Sequence, residues 1–162
     1  MSRQFTITLS IGLLVVIIAV IGILYMQRGA HIDLNGQVLK VRTLGMDENS
    51  SVAVLDFRIT NPADYAFVVR TVTVYLEDAA GNRTEGFTSS DVDAARLFSG
   101  YPLLGQKYNA TLMMKDKIGP HATEDRMVAA RFDVPEAKLE ARKRLVVRIE
   151  DVDGPVAEIS EK

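Results

Sequence analysis

Between residues 5 and 26 the chain carries no charged side chain, and this run, FTITLSIGLLVVIIAVIGILYM, constrains everything else. A helix rises ~1.5 Å per residue, so the segment would reach ~33 Å and cross a hydrocarbon core of about 30 Å. A cleavable signal has a shorter apolar core, about 7–15 residues, and small residues at −3 and −1 of the cut. Cutting after Ala30 would put Arg28 at −3, so an uncleaved anchor is the expectation. The chain then divides into a tail (1–4), a transmembrane helix (5–26), a linker (27–35) and a folded domain (36–162). The lipid bilayer is the first expected partner, through residues 5–26.

The basic residues flanking the run do not set its direction by number alone: Arg3 lies on one side and Arg28, Lys40 and Arg42 on the other. Long folded domains translocate largely regardless of charge. The expectation is a short internal tail with the domain outside the membrane, in a periplasm or at a cell surface.

All 21 acidic residues and 17 of the 19 basic ones fall in residues 31–162, which therefore carry about −4. Dispersed charge of mild acidity excludes the clustered basic face of a nucleic-acid binder. The absence of Cys removes disulfides, thiol catalysis and thiolate metal sites together. It also favours a bacterial envelope over a eukaryotic secretory origin.

Beyond the anchor, two-fold alternation is broken at short intervals by turn residues. Residues 37–44 predict a strand that ends at Gly45 and the polar turn Asp47-Glu48-Asn49-Ser50. Ala53, Leu55, Phe57 and Ile59 then share one strand face, with Asp56, Arg58 and Thr60 on the other. Asn61-Pro62-Ala63-Asp64 stops that strand. Residues 67–77 predict another, with Arg70 on the parity of Val68, Val72, Val74 and Leu76, which calls for a bulge or a sheet edge. Further strands are expected at 83–87, 108–115, 126–134 (Val128, Ala130, Phe132 and Val134 inward), around 145–149, and at 155–159. Ser89-Ser90-Asp91 offers helix-capping chemistry before Val92, Ala95, Leu97 and Phe98. Pro135 suits the first turn of a second short helix. About eight short strands with one or two short helices indicate an all-β antiparallel sandwich.

The stretch AVLDFRITNPADYAFVVRTVTVYLEDAAG resembles the late-embryogenesis-abundant group-two (water-stress and hypersensitive-response) domain over about residues 51–87. Asn61 and Pro62 match the family's Asn-Pro-Asn signature, and Ala63 stands where the second Asn would be. The resemblance implies an immunoglobulin-like β-sandwich behind an N-terminal membrane helix, with a non-enzymatic protective, structural or binding role. Turn chemistry alone also accounts for Asn61-Pro62.

No catalytic, cofactor or metal residue is assigned. His31 and His121 stand outside any nucleophile frame, which leaves them as loop residues. Met113, Met114, His121 and Met127 carry the soft donors that suit Cu(I). Adjacent Met113 and Met114, however, point to opposite faces of a strand. Asp91 and Asp93 lack the EF-hand pattern and fit helix capping. Glu124-Asp125 and Asp151/Asp153 read as solvated turn carboxylates. Asn49, Asn82 and Asn109 open N-glycosylation patterns that mark exposed turns.

The candidate interaction surface is the crossover at 91–107, with Leu97, Phe98, Tyr101, Pro102 and Leu103. The competing reading has the same residues capping the sandwich core. The expected function is an anchored, extracytoplasmic binding, scaffolding or protective module without catalysis, which engages another envelope protein and no nucleic acid. The alternative is an accessory factor for assembly of a membrane complex, handling copper.

Overall fold

The computed structural model describes residues 12–22 and 34–161. The chain separates into two units, 1–31 and 32–162. In the first, residues 12–22 are helical (α1) with every side chain exposed. No helix among the described residues is long and apolar enough to cross a membrane. The remainder of the expected 5–26 span, and most of the 27–35 linker, lie outside the described residues.

The second unit is a curled, mostly antiparallel sheet. Its strands are β1 (Asn35–Asp47), β2 (Ser50–Thr60), β3 (Phe67–Glu77), β4 (Arg83–Thr88), β5 (Ala110–Thr111), β6 (Lys117–Ile118), β7 (Thr123–Phe132), β8 (Arg144–Asp151) and β9 (Val156–Ser160). Two helices interrupt them, α2 (Asp91–Gly100) and α3 (Glu136–Glu140), and a 3-10 turn spans Pro102–Leu104. The order across the sheet is β1-β2-β7-β4-β3-β8-β9, with β5 beside β7 and β6 beside β3.

Strand β4 makes the curl. Its first part pairs with β3, Gly86 opposite Val74, and its last two residues pair with β7, Phe87 opposite Arg131. Gly86 sits at this transfer because a Cβ there would lie 2.7 Å from the Phe132 ring. The two halves of the sheet thereby share one inner core, which includes Leu55, Phe57, Phe67, Val74, Phe132, Leu145 and Ile149. The alternation of β2 delivers Ala53, Leu55, Phe57 and Ile59 to it, as the sequence indicates.

A second, smaller cluster forms on the opposite face of β2 and β7. It contains Val52, Val54, Met127 and Ala129, covered by Ala94 and Leu104 of the crossover between β4 and β5. The centre of the sheet is thus buried on both sides.

Two local features depart from simple alternation. The register of β3 against β8 shifts between Val69 and Thr71, so Arg70 occupies the bulge its parity called for. The strand expected at 108–115 is reduced to β5. Met113 N–H donates to the Asp116 carboxylate at 2.9 Å, and Lys115 takes φ 74°, so the chain turns before β6.

Candidate functional site

The β4–β5 crossover, residues 91–109, lies over the outer face of β1, β2 and β7. Its helix is capped by Ser90, whose hydroxyl oxygen accepts from Asp93 N–H at 3.1 Å. Tyr101 N–H closes the helix on the Leu97 carbonyl. Pro102 then starts the 3-10 turn, which Gly105 ends at φ 76°, a conformation that favours glycine. Lys107 returns to the helix start as the ion-pair partner of Asp91 and holds that carboxyl below the usual carboxylate range.

The strongest polar constellation beneath this crossover is centred on Arg42. Arg42 stands opposite Val54 in the β1–β2 register, so Asp56, two residues further along β2, is its diagonal neighbour on the same face. Nη2 donates to Asp56 Oδ2 at 2.6 Å, and the side chains retain only 9% and 5% exposure. Nη1 donates to the Leu104 and Gln106 carbonyls at 2.8 and 2.7 Å. The guanidinium lies 4.8 Å from the Phe98 ring centroid and 5.6 Å from that of Tyr108. Asn109 Nδ2 donates to the other Asp56 oxygen at 2.8 Å. One sheet arginine therefore gathers the crossover from the last turn of α2 to its return toward β5.

Alongside α2 a groove of about 310 Å³ remains, lined by Met46, Val52, Ser89, Asp93, Arg96, Leu97, Tyr101 and Arg131. Its floor is apolar. Its rim carries guanidinium groups that are already occupied, Arg96 by Asp93 at 3.3 Å and Arg131 by Asp133 at 3.2 Å.

The five residues expected to form the interaction surface divide. Leu97, Phe98 and Tyr101 are half-buried against the outer cluster, Pro102 is exposed, and Leu103 is 88% exposed. The crossover both caps a core and displays apolar side chains. Sequence reasoning passed over Arg42 and Asp56. Their signal was two opposite charges inside predicted strands, whose meeting depends on a register no spacing rule supplies.

Asn61, the signature residue, is fully buried. Its Nδ2 reaches the carbonyls of Tyr65, Ile118 and Gly119 at 2.8, 3.1 and 3.1 Å, and its Oδ1 accepts from Ala63 N–H at 3.0 Å. It joins two loops as well as ending a strand. Pro62 beside it is exposed.

The soft-donor residues do not converge. Met127 is buried in the outer cluster, and Met113 and Met114 line a different groove beside Arg70. His121 Nε2 pairs with Asp64 at 2.8 Å. His31 lies outside the described residues.

Among solved structures, an uncharacterized beta-sandwich protein from Clostridium difficile 630 is similar over 80% of this chain and 86% of its own, with 11% identity and a TM-score of 0.40. No family model matches the chain, and no curated protein matches it significantly. The resemblance to the late-embryogenesis-abundant group-two domain thus stands on residues 51–87 alone.

Proposed function

We propose that this chain is a single-pass, membrane-anchored module whose immunoglobulin-like β domain lies outside the cytoplasm and binds another envelope protein through the 91–109 crossover. The anchor is the charge-free run at 5–26, and the binding reading needs no catalytic group.

One observation carries it. Eight large apolar side chains are prominently exposed among residues 34–161, and three of them, Val92, Leu103 and Tyr108, fall within the 91–109 crossover. Single exposed apolar residues are ordinary, whereas a concentration of them marks a contact surface. Leu103 and Val92, at 88% and 59% exposure, leave most of their apolar surface in solvent.

The test places a photo-crosslinking residue at position 103 of the full chain in intact membranes. The expected result is a discrete protein adduct that disappears with Val92→Asp and persists with Leu39→Asp, a control on β1. An adduct pattern indifferent to Val92→Asp would refute the surface. Extraction of the intact chain by alkaline carbonate would refute the anchor.

A further inference from the structure

We infer that residues 91–109 form a releasable strap that lifts as a unit from the β1–β2–β7 face, with Arg42 and Asp56 as its latch. The strap leaves and rejoins the sheet at neighbouring points of one strand. Ser89 N–H donates to the Ala129 carbonyl and Leu112 N–H to the Met127 carbonyl, each at 2.8 Å. A segment whose ends are pinned this close together can move without disturbing the strands that hold them.

Its seating is loose compared with the inner core. Only Ala94 and Leu104 of the strap are fully buried, and a groove of about 310 Å³ runs along α2. Segments with few buried apolar contacts belong to the low-stability end of a domain, where local opening is easiest.

What holds the strap is directional and concentrated. Arg42 supplies both backbone-carbonyl contacts and the Phe98 ring contact, shares the Tyr108 ring with Lys40, and Asp56 receives Asn109. Arg42 Nε is buried with no hydrogen-bond partner among the described residues, so even the closed latch leaves one donor unsatisfied. Release would uncover Val52, Val54, Met127 and Ala129, a contiguous apolar patch on two adjacent strands. The inference goes beyond the binding reading, because strap release can be detected with no partner present.

The chain has no cysteine, so single thiols report opening cleanly. Ala129 and Ala130 are adjacent on β7 but face the outer and inner clusters respectively. Maleimide labelling rates of Ala129→Cys and Ala130→Cys would be compared in the full chain reconstituted in nanodiscs. Ala129→Cys should react at least tenfold faster than Ala130→Cys. Adding Arg42→Lys, which keeps the charge and loses the forked geometry, should accelerate Ala129→Cys by about a further tenfold and leave Ala130→Cys unchanged. Equal rates at the two positions, or parallel acceleration of both by Arg42→Lys, would overturn the strap, since either result means the domain opens only as a whole.

Discussion

Arg42 and Asp56 illustrate how much one buried charge depends on its partner. Exposed pairs contribute about 0–1 kcal/mol, but this pair is almost wholly removed from water. Removing one member of such a pair leaves the other charged and desolvated, which costs about 3–5 kcal/mol, whereas replacing both with apolar groups is often close to neutral. Arg42→Met should therefore destabilise strongly, and the double variant Arg42→Met/Asp56→Leu should recover most of the loss. Thermal unfolding of the four members of that cycle measures the coupling. A double variant as unstable as the sum of the singles would show that the two side chains act independently. This is also where the sequence was least legible. Alternation puts Asp56 with Arg58 and Thr60 on a polar face. The structure keeps Arg58 half-exposed against Asp125 and buries Asp56, because the crossover covers only part of the β2 outer face.

The elements themselves were far more readable, for a physical reason. Alternation and turn chemistry are local, and they place β1 to β4, α2, β7, α3, β8 and β9 within a few residues of where they lie. What alternation hid was the second buried face. The run Ser51-Val52-Ala53-Val54-Leu55 is apolar at both parities after its serine, the mark of a strand covered on both sides, which one parity alone does not show. Also invisible was the transfer of β4 from β3 to β7, since nothing within Arg83–Thr88 names two partners. Gly86 is the trace it leaves. Gly86→Ala would force the buried Phe132 ring to move, and overpacking of this kind costs about 1–3 kcal/mol. The urea midpoint should fall with an unchanged slope, and Gly86→Ala/Phe132→Leu should regain part of the loss by making room. Wild-type stability in Gly86→Ala would mean the ring yields freely and the transfer does not need glycine.

At the scale of the whole domain, carboxylates are held ionised by neighbours on every side. Asp47 is lowered by the Ser50 hydroxyl, Glu77 by Arg144, Asp78 by Asn82, Asp91 by Lys107, Asp125 by Arg58 and Glu158 by Arg83. Five of these groups are solvent-facing and individually weak. Glu77 differs, being 4% exposed with Arg144, Lys143 and Arg83 at 3.0, 3.4 and 3.5 Å. A carboxylate whose folded-state pKa lies below its unfolded one stabilises the fold above the unfolded value, about 4 for these side chains. That contribution fades as pH falls through the folded value, because the unfolded chain then binds more protons. The melting temperature should accordingly decline from about pH 5 downward. Glu77→Gln should lower it at pH 7, where three cations lose their buried counter-charge, and the gap to wild type should close below about pH 4 as wild-type Glu77 takes up its own proton. A gap that persists undiminished at pH 3 would assign the loss at Glu77 to packing or hydrogen-bond geometry, and would remove ionisation of this centre as a source of acid sensitivity.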